Sequence, residues 1–145
     1  MKKIFLISIS LCLSILASDT SLRTGEFPAK EMKAQNKEIA KLVSQEISST
    51  LPQRVDKYTT LVSVKSDGST LVYTFEINTG VKSDKRVKND DHSRMKQAVT
   101  TGVCQSSRKF LAAGINTSYI YISAKTKAHL FQFDISQEDC ITSFN

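Results

Sequence analysis

Histidine and cysteine are both scarce in this chain of 145 residues, and that scarcity removes whole classes of chemistry. His92 and His129 are its two histidines, and Cys12, Cys104 and Cys140 its three cysteines. A zinc site needs four such ligands in close spacing, which this set does not provide, so no metal site is expected. A hydrolase needs a nucleophile, a base and an orienting group brought together. No Walker-type loop, no GxSxG and no HExxH occurs, so neither a catalytic residue nor a cofactor-binding residue is assigned and no cofactor is expected. Repeats and low-complexity segments are absent too.

Charge of one sign is also limited. The formal net charge of +6 comes from mixed acids and bases. Lys82, Lys85, Arg86 and Lys88 are interleaved with Asp84, Asp90 and Asp91, and no aromatic residue lies among them. Nucleic-acid binding wants clustered cations with aromatics for stacking, so no nucleic-acid partner is expected and the segment from Asn78 to Asp91 reads as a solvated loop. The chain also lacks an apolar run long enough to span a bilayer. Ile4 to Leu16 is apolar but broken by Ser8, Ser10 and Ser14, and it is too short for a stable membrane span.

That run has another meaning. Lys2 and Lys3 precede it, and the small residues Ala17 and Ser18 follow, ahead of polar Asp19. This is the layout of a secretory signal peptide over residues 1–18, with cleavage after Ala17 or Ser18. Cys12 follows Leu11 within the apolar run, where a lipidation cysteine would need a small residue before it, so Cys12 is expected to leave with the signal. Export places the mature chain in the periplasm or outside the cell, and the loss of Lys2 and Lys3 lowers the charge to +4. Cys104 and Cys140 then remain as an even pair in an oxidising compartment, which predicts a disulfide. Closing a loop of that length stabilises the fold by about 3–4 kcal/mol in the chain-entropy treatment.

Residues 19–28 are polar, with Gly25 and Pro28 as breakers, and read as a flexible leader to a single domain over 29–145. Met32, Ile39, Leu42, Val43, Ile47 and Leu51 recur at helical spacing up to the stop at Pro52 and predict an amphipathic helix with a core-facing stripe. Tyr58 to Lys65, the Asp67-Gly68 turn and the alternating Leu71, Tyr73, Phe75 and Ile77 predict a hairpin. A second helix starts near a cap at Asp91 or Ser93, carries Met95, Val99 and Val103 on one face, and reaches Cys104. Ser106 or Ser107 can cap a further turn ending at Gly114. A second hairpin pairs Tyr119 to Ile122 with Phe131, Phe133 and Ile135 through Lys125 to Lys127. The order predicts an α+β fold: a four-stranded, mainly antiparallel sheet of two hairpins, packed with an N-terminal helix and a middle helix and closed by one disulfide. His92 reads as an exposed residue at a helix start, and His129 as a strand-end residue at the core margin.

Several short motifs together resemble the pilotins of type II secretion in their short α/β form. They are Ile47-Ser48 through Leu51-Pro52, Tyr58 to Val62, Cys104, Gly114-Ile115-Asn116 with Ser118-Tyr119, and the closing Asp134 to Cys140. The resemblance implies a helix ending at a Leu-Pro, a Thr-rich first strand, and two cysteines bridging the later helix to the C-terminal tail. It also implies a non-enzymatic protein that binds a helical tail of the outer-membrane secretin. Family members escort that secretin by their own lipid anchor, and the position of Cys12 departs from that pattern. The expected function is therefore an exported binding or chaperone-like module, pilotin-related, that captures a segment of another envelope protein. A secreted inhibitor or immunity factor, and a small basic nuclease using His92 and His129, are the alternatives. The partner-binding residues are not assigned by the sequence.

Overall fold

A computed structural model of the protein describes residues 29–142. The expected signal peptide, its cleavage at Ala17 or Ser18, and the leader over 19–28 lie outside the described residues. The N-terminal helix α1 (Ala29–Ser48) leads into a short strand β1 (Gln53–Arg54) and the hairpin β2 (Thr59–Asp67) and β3 (Thr70–Ile77). Three helices follow, α2 (Asp84–Asn89), α3 (Ser93–Ser106) and α4 (Arg108–Ala112), and then the second hairpin β4 (Asn116–Ser123) and β5 (His129–Ile135). The chain is closed by α5 (Gln137–Thr142).

The α+β class is as the patterning predicts, but the sheet has five strands, in the order β1-β2-β3-β4-β5, where four were expected. The added strand is a polar pair whose two residues are both exposed, so it carries no hydrophobic alternation to read. Backbone bonds from Val55 and Asp56 to the Thr59 carbonyl hold it beside β2. Three of the four pairings are antiparallel, and β3 with β4 is parallel. A parallel neighbour cannot be reached by a tight turn, so the chain crosses over through α2, α3 and α4 between these strands.

Two segments expected to be irregular are helical. Within the predicted solvated loop, Ser83 accepts a hydrogen bond from the Arg86 N–H at 3.3 Å, starting α2, and Val87 anchors that helix in the core. After β5, the Asp139 carboxylate accepts from both the backbone N–H and the hydroxyl of Ser136, at 2.8 and 2.9 Å, which starts α5 in the manner of a capping box.

The predicted stripe of α1 is met in part: Ile39, Val43, Ile47 and Leu51 pack against the core, but the most buried positions of the helix are small or polar. Asn36, Ala40 and Ser44 face inward, whereas Leu42 is 57% exposed and Met32 40% exposed. Small side chains let the helix lie close on the sheet, and the polar ones are bonded, Ser44 to the Lys41 carbonyl of its own helix at 2.8 Å. The Asn36 amide donates to the Ala113 carbonyl at 2.6 Å, and the Ser48 hydroxyl donates to the Val64 carbonyl at 2.8 Å. Gly114, at φ +89°, follows Ala113 in the turn that meets α1, a conformation that favours glycine.

The core lies between one sheet face and the helices. Leu61, Val64, Phe75, Tyr121 and Phe133 form its centre, with Ile47 and Leu51 from the α1 end and Met95 and Val99 from α3 packed against it. A second cluster joins Val103, Cys104, Leu111 and Ile135, and a third joins Ala40, Leu71 and Ile115. Cys104 and Cys140 are joined in a disulfide with their Cα atoms 5.4 Å apart, which ties α5 to α3.

Candidate functional site

A continuous ladder of aromatic rings crosses the helix-facing side of the sheet. It follows from alternation: Tyr73 and Phe75 on β3, Tyr119 and Tyr121 on β4, and Phe131 and Phe133 on β5 all point to that face. Parallel pairing of β3 with β4 puts Tyr73 opposite Tyr119 and Phe75 opposite Tyr121, with ring centroids 5.0 and 5.1 Å apart. Tyr121 continues to Phe131 at 4.7 Å, and Phe131 to Phe133 at 5.4 Å. Ring pairs at these separations contribute beyond their buried area.

The helices do not cover this ladder completely. A groove of about 330 Å³ opens between α3 and the turn from β1 to β2. Its floor is Phe75, Tyr119 and Tyr121, one wall is Met95, Val99, Gly102, Val103 and Ser106 of α3, and Val55, Asp56 and Thr59 form the other. Spacings of three and four put the α3 residues on one helix face, and Gly102 leaves a gap in that wall. A Cβ added at Gly102 would meet nothing within 4 Å. Glycine in a helix interior costs up to about 1 kcal/mol relative to alanine, and no close approach within the chain itself calls for it.

The electrostatics of the groove are mild. Asp56 sits on the rim, its carboxylate accepting the N–H groups of Tyr58 and Thr59 at 2.7 and 2.8 Å. The Tyr58 N–H is the main cause holding its pKa below the ordinary carboxylate value. Burial pushes the Tyr121 phenol up to about 12, with the nearby Asp56 charge adding to the effect. Burial likewise raises Tyr119 and Tyr73. Both floor tyrosines are therefore neutral at physiological pH. Among the described residues no hydrogen bond reaches the hydroxyls of Tyr119 and Tyr121. The arrangement can hold an apolar segment on rings and offer a few polar contacts, which is recognition chemistry.

Among the described residues no hydrogen bond or ring contact joins the two histidines. His92 occupies the N-cap position of α3 without a side-chain capping bond, and its ring lies on Phe131 with centroids 3.8 Å apart. The cap is supplied by Asp91, whose carboxylate accepts the Ser93 N–H at 2.9 Å. His129 is exposed, not packed at the core margin as expected. The strand pairing is irregular between Tyr121 and Ile122, and there Leu130 is the buried residue. Among the described residues no group of three or more potential metal ligands is found, and no helix is long and apolar enough to cross a membrane. The groove itself was missed by sequence reasoning; a glycine on the apolar face of the α3 pattern was the one signal available.

The fold has counterparts of known structure. A protein of Pseudomonas aeruginosa provisionally classed as secreted matches with a TM-score of 0.67 at 16% identity, over 78% of this chain and 99% of that one. EpsS, the pilotin of the Vibrio vulnificus type 2 secretion system, matches with a TM-score of 0.64 at 12% identity, over 77% of this chain and 96% of its own. AspS, the type II secretion pilotin of Vibrio cholerae, matches with 0.61 at 17% identity, over 77% and 97%. The pilotin-like architecture that the short motifs suggested is therefore present. No curated protein sequence matches the chain. Residues 34–131 match the sequence model of a domain of unknown function, DUF8479.

Proposed function

The chain belongs to the DUF8479 family, and we propose that it is an exported, non-enzymatic binding module whose groove captures an apolar helical segment of an envelope protein, with a type II secretin as the partner. The observation that carries this reading is the groove beside Gly102, with Phe75, Tyr119 and Tyr121 at its base, on a fold shared with two pilotins. An amphipathic helix presents apolar side chains every three or four residues, which suits a groove floored by rings and walled by another helix. Each aliphatic side chain that leaves water there contributes about 1.5–3 kcal/mol before the cost of association. A guest of two or three such residues is held weakly and reversibly, which suits an escort. The disulfide supports an oxidising compartment, in keeping with the expected signal peptide.

The test is titration of the purified protein with synthetic peptides covering the C-terminal region of the secretin from the same genome. Saturable binding that disappears in Gly102→Phe, with the circular dichroism spectrum unchanged, is the expected result. Absence of binding to every peptide, or equal binding by Gly102→Phe, would remove the reading.

A further inference from the structure

A second cavity lies on the far side of α3 from the groove, where α3, α4 and α5 meet. It measures about 550 Å³, within the roughly 300–1,000 Å³ range of small-molecule sites. Its floor is buried Leu111 and the Cys104–Cys140 disulfide, and Ala112 and Ile141 stand at its mouth. Among the described residues, Arg108 is the one charged side chain of the lining, and it forms no ion pair there.

We propose that this cavity binds a free fatty acid, the acyl chain lying against Leu111, Ala112 and the disulfide and the carboxylate meeting Arg108. Three features select that ligand. Among the described residues, those that line the cavity all belong to helices, whose backbone groups are largely spent on their own turns. An extended peptide would bring an amide at every residue and find only the Gln105 and Gln137 side chains as neutral partners on such walls, whereas an acyl chain brings none. A guanidinium presents a fork that pairs with a carboxylate through two parallel hydrogen bonds. A single cation also matches the single charge of a carboxylate, whereas a phosphate monoester carries about two negative charges near pH 7. The site is separate from the groove, so its fate and that of the secretin-binding reading are decided independently.

The experiment is calorimetric titration of the full chain with dodecanoate below its aggregation concentration, with dodecanol as the uncharged control. One-to-one saturable binding is expected, weakened about tenfold in Arg108→Gln and by a similar factor for dodecanol. Ala112→Phe, which fills the mouth without touching the floor, is expected to abolish it. Non-saturable uptake, or binding unchanged by both substitutions, overturns the proposal. Binding that appears only in Phe144→Ser would identify the chain's own C-terminal residues as the occupant, and overturns it equally.

Discussion

Gly102 offers a perturbation in which stability and binding move in opposite directions. The residue lies within α3, Ser93–Ser106, and a Cβ added there has no neighbour within 4 Å. Gly102→Ala therefore recovers helix propensity without a clash. The full propensity difference is about 0.8–1 kcal/mol, and a position in the last turns of the helix keeps somewhat less, about 0.5–1 kcal/mol. For a domain of this size that is an increase in Tm of roughly 2–5 °C. Urea unfolding should show a higher midpoint at an unchanged m-value, because the surface exposed on unfolding barely changes. The same methyl group stands in the groove, where a guest that fits closely is overpacked. Gly102→Ala should thus weaken the secretin peptide while it stabilises the protein, and Gly102→Phe should abolish binding. A lower urea midpoint for Gly102→Ala would refute the reasoning at its root, since it would mean that the space beside Gly102 is already filled. A higher midpoint with undiminished peptide affinity would keep the structural argument and sink the functional one.

Four further outcomes are expected. Replacing Cys104 and Cys140 together by alanine releases a loop spanning 36 residues and should cost about 3–4 kcal/mol, read as a fall in Tm of more than about 10 °C; an unchanged Tm would show that α5 is held without the bond. Ile115→Ala, at a site only 1% exposed, should cost about 2–5 kcal/mol in chemical denaturation, and a cost well below that range would place Ile115 outside the packed core. The Thr117 hydroxyl is buried without a hydrogen-bond partner among the described residues, so Thr117→Val should raise stability by about 1 kcal/mol, and a loss of stability would reveal a partner. The Ser93 N–H is the main cause holding Asp91 below the ordinary carboxylate pKa. A depressed folded-state pKa gives stability that is present above the unfolded value of about 4 and lost as pH falls through the folded value. Asp91→Ala should therefore be less stable than the native chain near neutral pH and approach it in acid, and a gap that persists in strong acid would exclude the carboxylate as its source.

Much of the fold was legible because it rests on local signals. Period-two alternation from Leu71 to Ile77 and from Phe131 to Ile135 made strands evident, since one sheet face is buried and the other is not. Met95, Val99 and Val103 announced α3 in the same way, and two cysteines remaining after the expected signal announced their own pairing. The short motifs were sufficient for the pilotin-like architecture, which the structural counterparts bear out. Signals that are short or polar were lost. A two-residue strand has no period, Ser83 and Val87 looked like part of a charged loop, and the Ser136–Asp139 capping pair stood next to a cysteine expected in an irregular tail.

The candidate sites depended on placement across long distances in sequence, which no local pattern carries. Parallel pairing of β3 with β4 aligns residues more than forty positions apart and so builds the aromatic ladder. Small Ala40 and Ser44, not the larger Leu42, set how α1 meets the sheet, because close approach there outweighs the volume of the side chain. The sequence by itself determined the compartment expectation, the helix and strand types, the cysteine pair and the scarcity of catalytic groups, all of which depend on composition and near neighbours. Only the tertiary structure decided where a groove reaches the sheet and which helices border a cavity, because those are properties of how finished elements pack and of the gaps that packing leaves.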